Sequence, residues 1–172
     1  KGESFEALDK KKYTLDNSMC AITDKSGVLG LGGIIGGTRS GTEFSTKNIL
    51  LESAYFYPSG IRKTAKSLNI DTDAKHRFER GIDPNSIKIG LELAMCMVLD
   101  ICGGEASKLS FVGKLTSNNK TIDLNYDKFL NVIGFPIAGS EIKKILSSLG
   151  CEVKAGKKSI KVFPPSWRPD LQ

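Results

Sequence analysis

The sequence predicts an α+β fold in two parts, a sheet-and-helix domain over residues 1–115 and a small winged-helix-like α/β module over residues 116–172. Three observations lead there. The nearly continuous apolar run Ile49-Leu50-Leu51 and Ala54-Tyr55-Phe56 reads as a strand covered on both faces. Behind it the apolar positions change to helical spacing, first at Ile61, Ala65 and Leu68, then at Ile87, Leu91, Ala94, Val98 and Ile101. Glu105 to Asn119 is polar, with Ser107, Ser110, Thr116, Ser117, Asn118 and Asn119, and separates these elements from a second patterned stretch.

Composition sets the outer limits. At 172 residues, 40% hydrophobic and 26% charged, the chain has a globular balance and room for one domain or two small ones. No apolar run approaches the ~20 residues that cross a bilayer, so a cytoplasmic protein is expected. Cys20, Cys96, Cys102 and Cys151 form no CxxC pair and share the chain with a single histidine, which excludes the familiar zinc spacings and predicts reduced, mostly buried thiols. The net charge of +6 is compatible with a nucleic-acid partner. With 8% aromatic residues and one Trp, a stacking platform for single-stranded bases is not expected.

Taken in order, Lys1 to Asn17, with its cluster Lys10-Lys11-Lys12, is expected to form a hairpin rim. Met19 to Thr23 reads as a buried strand, Asp24 to Gly27 as its turn, and Val28 to Leu31 as the next strand. Gly32-Gly33-Ile34-Ile35-Gly36-Gly37 invites a phosphate-loop reading. The Lys-Ser/Thr pair of a Walker loop is missing, however, and no apolar helix follows. The glycines instead predict close backbone approach, where a Cβ would obstruct a neighbour.

Glu52 interrupts the apolar run. A carboxylate on a buried strand must face a cleft or hold a strong partner, because burying an unpaired charge costs several kcal/mol, roughly; a structural ion pair with a lysine is the alternative. Pro58-Ser59 opens a helix whose other side carries Arg62, Lys63 and Lys66, either a solvated face or a phosphate-facing one. Asp71 to Ala74 is a polar turn, and His76 to Gly81 gathers three potential cations, a carboxylate and a ring. Asp83-Pro84 is an N-cap and first-turn pair for the longest helix, ended by Gly103-Gly104; Met95, Met97 and Leu99 widen its apolar face, which predicts a core helix packed on a sheet. In the second part, Thr121 to Leu124 is a short strand, Asp127 to Ile133 a helix with Phe129, Leu130 and Ile133 inward, and Ser140 caps a further helix with Ile142, Ile145, Leu146 and Leu149 inward. Cys151–Lys154 and Ser159–Phe163 make a hairpin. Modules of this outline often bind DNA. The second helix here offers only Lys143 and Lys144, with no Arg or Asn to read bases, so no DNA partner is expected.

LLESAYFYPSGIRKTAKSLNIDTDAKHRFERGIDP, from Leu50 to Pro84, closely resembles the editing module of the beta subunit of bacterial phenylalanyl-tRNA synthetase. The resemblance continues in order through LDICGGEAS, LGCEVKAG and PPSWRPDL and covers the chain from about Met19 onward. It implies an incomplete editing-type domain, followed by a structural winged-helix-like module. The implied function is that of one wall of a site that hydrolyses mischarged tyrosyl-tRNA. Hydrophobic pockets reject an added hydroxyl only about a hundredfold, hence the need for a second site.

Matched to the family pattern, Glu52 would accept the phenolic hydrogen bond of tyrosine, Thr72 and Ala74 would shape the pocket, and Gly36 would leave room for the aminoacyl group. No catalytic nucleophile is expected, and a positioned water would hydrolyse the ester. The family pocket also uses residues of the module's earlier half, which this sequence does not contain, so the isolated chain is expected to be inactive. Asp170 matches the first of several magnesium-associated carboxylates; one carboxylate does not hold Mg²⁺, and no bound cofactor is expected on this piece. For the whole enzyme the resemblance implies ATP, magnesium, tRNA and a synthetase alpha subunit in a heterotetramer, with no membrane partner. Lys1-Gly2-Glu3 carries no start pattern and Leu171-Gln172 follows a motif directly, from which an excised piece of a larger subunit is expected. The rival readings are a winged-helix nucleic-acid-binding protein and a free-standing tRNA deacylase.

Overall fold

The computed structural model describes residues 2–114, 121–156 and 158–171. The chain divides into two compact units, one of Lys1–Ile82 with Ser86–Ser110 and one of Asp83–Asn85 with Phe111–Gln172. The boundary expected at 115/116 lies outside the described residues.

The first unit opens with the hairpin expected there. β1 (Ser4–Glu6) pairs antiparallel with β2 (Lys12–Thr14), Phe5 opposite Tyr13. Alternation turns both rings inward, where they lie buried with centroids 6.2 Å apart. Asp9 closes the turn, accepting from the Lys11 backbone at 3.1 Å and from the Tyr13 hydroxyl at 2.7 Å. β3 (Ala21–Asp24) and β4 (Gly27–Leu31) form a second hairpin through Lys25-Ser26, with Gly27 at φ +116°. β3 is half exposed where a buried strand was expected, because it pairs only with β4 and so forms the sheet edge. β5 (Ile35–Gly36) completes the order β3-β4-β5.

Against this sheet lies α1 (Pro58–Leu68), with Ile61, Thr64 and Ala65 buried and Asn69 in the left-handed conformation at its end. α2 (Asp73–Phe78) follows where a turn was expected. The core joins Phe5, Tyr13, Leu15, Val28, Leu31, Ile34, Ile61, Ala65 and Ile70.

Two larger expectations also fail in this unit. Residues 48–57 form no strand, and Ile49, Leu50 and Leu51 are exposed, Leu50 at 89%. A continuous apolar run reports a need for cover on two faces, but a strand exists only through its ladder. Among the described residues none pairs with this segment. Likewise α3 (Ser86–Cys102) begins after Asp83-Pro84 but is no core helix. Ile87 alone is buried, while Met97 and Ile101 are 63% and 78% exposed. Its apolar residues surround the axis, and Leu91, Ala94, Met95, Val98 and Leu99 are no more than half-buried. Cys96 and Cys102 are exposed free thiols as a result, and Cys20, just before the edge strand β3, is exposed as well; Cys151 alone is buried as expected.

In the second unit β6 (Ile122–Asn125), β7 (Glu152–Ala155) and β8 (Ser159–Phe163) form an antiparallel sheet in the order β6-β8-β7. α4 (Tyr126–Ile133) is capped by Asn125, whose side chain accepts from the Asp127 and Lys128 amides, and ends at Gly134, φ +86°. α5 (Gly139–Ser148) starts from Ala138, so Ser140 lies within the helix and is not its cap. Ile142, Cys151, Ile160 and Val162 form the core, with Phe129 and Leu146 packed against it. Leu130, Ile133, Ile145 and Leu149, expected inward, are exposed. Short amphipathic helices bury one narrow stripe, and these four flank it. Both units together are mixed helices and small antiparallel sheets, an α+β chain.

Candidate functional site

The glycine-rich turn between β4 and β5 is where the first unit's elements converge. Gly33 has φ +68°, and a Cβ there would stand 2.8 Å from the Phe56 ring and 2.9 Å from Ile61. At Gly32 a Cβ would meet Phe56 at 2.5 Å. Phe56 and Phe78 meet edge to face at 5.3 Å above these glycines. The close approach expected of the glycines is thus present, and the neighbour is the protein's own aromatic pair. The sequence placed Phe56 inside a strand; its packing partner Phe78, 22 positions on, left no local signal.

Thr72 ties this turn to α2. Its hydroxyl donates to the Ile34 carbonyl at 2.7 Å and accepts from the Lys75 amide at 3.1 Å, so one side chain caps the helix and holds the loop. Gly36 lies two residues beyond Ile34, exposed at the end of β5, its carbonyl accepting from the Leu8 amide at 3.0 Å. Ala74 is exposed within the first turn of α2. Thr72 and Ala74 therefore sit at the start of α2, while Gly36 lies at the end of β5, the strand that follows Ile34. No hydrogen bond joins Glu52 to them. Its carboxylate is exposed, off any strand, and has no hydrogen bond or ion pair among the described residues. The buried-strand carboxylate expected from the apolar run is thereby corrected, for the same reason as the strand itself. Phe56, four residues on, is the point at which Glu52's segment is anchored.

Around α2 the charges are partly spent. Lys75 bridges Asp71 at 3.2 Å and Glu79 at 3.4 Å, and its pKa is raised by these carboxylates, Asp71 foremost. Arg62 donates to the Glu79 carbonyl at 3.0 Å at the end of α2, a favourable place for a cation. A separate depression beside β1 and β4 is lined by Glu3, Glu6, Thr38 and Arg39. Arg39 is engaged there through both terminal nitrogens, donating to the Ser26 carbonyl at 2.6 Å, the Val28 carbonyl at 3.2 Å and Asp24 at 3.3 Å. It clamps the β3–β4 hairpin, a structural task.

Asp170 is held by Arg168 through two hydrogen bonds of 2.8 Å, and the guanidinium keeps its carboxyl below the usual carboxylate range. With both oxygens occupied by a cation, and no group of three or more His, Cys, Asp or Glu placed to hold a metal among the described residues, these side chains do not fit a magnesium site by themselves.

Residues 1–103 match the family model of the B3/4 domain, and residues 122–172 that of the tRNA synthetase B5 domain. Over 171 residues the chain is 44% identical to the phenylalanine–tRNA ligase beta subunit of Rhodospirillum rubrum, covering 99% of this chain and 21% of that protein. The beta subunits of Rhodopseudomonas palustris and Mesorhizobium japonicum are 41% and 39% identical over 170 residues, with the same coverage. The chain spans about a fifth of the length of these relatives. No helix among the described residues is long and apolar enough to cross a membrane. By its B3/4 match, followed in order by a B5 domain, the chain belongs to the family of phenylalanine–tRNA ligase beta subunits.

Proposed function

We propose that this chain carries one wall of an editing site of a phenylalanine–tRNA ligase, where tyrosine esterified to tRNA is recognised and released. The observation that carries the reading is the Thr72–Ile34 hydrogen bond. It seats the start of α2, with Thr72 and Ala74, on the glycine turn that leads into Gly36. Glu52 supports it as an unengaged carboxylate, able to accept a hydrogen bond from a phenolic hydroxyl. The pocket then discriminates by the hydrogen bond that phenylalanine cannot make, and attack falls to a positioned water. In the assembled ligase the chain works beside a synthetase alpha subunit, with ATP and magnesium serving the charging reaction away from this wall. The B5 unit serves as a structural winged-helix-like module, since α5 presents only Lys143 and Lys144 as basic residues.

In the complete synthetase, Glu52→Ala is expected to slow tyrosyl-tRNA hydrolysis while leaving phenylalanine charging nearly unchanged. A charge-assisted hydrogen bond is worth about 1.5–3 kcal/mol, which corresponds to roughly ten- to a hundredfold. Glu52→Gln, still an acceptor through its amide oxygen, is the milder change. Equal losses of charging and hydrolysis, with a lowered melting temperature, would refute the assignment.

A further inference from the structure

α1 buries Ile61, Thr64 and Ala65, so its opposite face presents Ser59, Arg62, Lys63 and Lys66, at i, i+3, i+4 and i+7. α2 and the two residues after it turn Lys75, Phe78 and Glu79 toward the fold and present Asp73, His76, Arg77 and Arg80. The two helices pack together, and Arg62 reaches the Glu79 carbonyl at the foot of α2, which joins the two outward faces into one surface. The acids nearby do little to neutralise it. α1 contains no carboxylate, Asp71 and Glu79 are both engaged by Lys75, and the one further acid of these faces, Asp73, is outnumbered by Arg62, Lys63, Lys66, Arg77 and Arg80. Lys63, Lys66 and Arg77 stand in no ion pair among the described residues.

We infer that the joined outward faces of α1 and α2 form a phosphate-binding surface for RNA, with Lys63, Lys66 and Arg77 as its free cations and Arg62 and Arg80 beside them. The residue types favour a nucleic acid over an acidic protein. Protein interfaces are built on a buried apolar or aromatic centre, and the outward positions here carry no large apolar side chain. Phosphate contacts need only exposed lysine and arginine with small polar residues between them. Such contacts position a backbone without reading its sequence, and this surface begins at Thr72, the cap of α2 and a member of the candidate site. The inference deepens the editing reading and rests on it for the identity of the RNA, an aminoacylated tRNA whose acceptor stem is held while its end enters the site.

The test measures binding of this chain to a fluorescein-labelled, uncharged acceptor-stem minihelix by anisotropy across a series of NaCl concentrations. Lys63→Glu with Lys66→Glu is expected to weaken binding at least about tenfold and to reduce the salt slope by about 2, roughly one for each phosphate left without its cation. Lys63→Gln with Lys66→Gln, a gentler pair at exposed positions, is expected to give the same reduction of slope. Lys143→Glu with Lys144→Glu on α5 is expected to leave both affinity and slope unchanged. Unaltered binding in the α1 variants would overturn the surface. So would equal losses in the α5 control, the mark of unspecific attraction, or displacement of the minihelix by polyglutamate at equal charge concentration, the mark of an acidic-protein site. Failure of the pocket reading is distinguishable: Glu52→Ala acts on hydrolysis and leaves minihelix affinity intact, whereas the α1 variants lower minihelix affinity.

Discussion

Thr72 and Gly33 are the two residues on which the candidate site turns. Thr72 satisfies a helix-start amide and a loop carbonyl with a single hydroxyl. Thr72→Val is expected to cost about 1 kcal/mol for the cap alone, whereas Thr72→Ser retains both bonds and most of the stability in denaturant titrations. Gly33 combines a positive φ with rings at either side. Gly33→Ala should therefore lose roughly 1–2 kcal/mol to the backbone, with a further penalty for displacing Phe56 and Ile61. A melting temperature equal to that of the parent chain would show that the turn is not packed as described. The importance of the glycines was legible in the sequence, because two Gly-Gly pairs bracketing isoleucines signal close approach. What approaches them was not, since Phe56 and Phe78 come from segments separated by a helix.

At the scale of elements, α3 and α1 present a contrast that spacing alone does not resolve. Both repeat apolar residues at helical intervals, yet α1 buries one face in the core and α3 buries Ile87 alone. Ile87→Ala is expected to cost about 2–4 kcal/mol. Met97→Gln and Ile101→Gln should each stay within about 0.5 kcal/mol, as exposed substitutions do. If the latter two destabilised the chain as much as Ile87→Ala, the helix would have cover in solution. Periodicity states which residues seek burial; whether burial is provided depends on elements distant in sequence. In the second unit the elements lie where the spacing put them, with Asn125 and Gly134 bounding α4 through interactions within a turn, but Ser140 is no cap and Leu130, Ile133, Ile145 and Leu149 are not covered.

For the molecule as a whole, pH tests the same hydrogen bonds. The carboxyls of Asp9, Asp24 and Asp170 are all held below 3.8, by the hydrogen bonds of Tyr13, Ser26 and Arg168 respectively. A lowered folded-state pKa adds stability that is present above 3.8 and is lost as pH falls through the folded value. Tyr13 is displaced the other way, raised above 10.0 by its bond to Asp9, so its contribution is complete below 10.0 and lost above it. Denaturation midpoints should be flat between about pH 5 and 9 and fall on both sides. Asp9→Asn should shallow both arms at once, because one hydrogen bond serves both groups. An unchanged alkaline arm in that variant would sever the Tyr13–Asp9 link.

By itself the sequence determined the hairpins, α1, the span of α4 to within one residue and the family, because turns, amphipathic spacing and collinear motifs are written in neighbouring residues. It also singled out Gly36, Thr72 and Ala74 through that resemblance. Only the tertiary structure decided that residues 48–57 are no strand, that Glu52 stands exposed, and that the cations of α1 and α2 share one surface. Each of these depends on whether a partner from elsewhere in the chain completes a ladder, covers a face or neutralises a charge, and no local pattern encodes the presence of that partner.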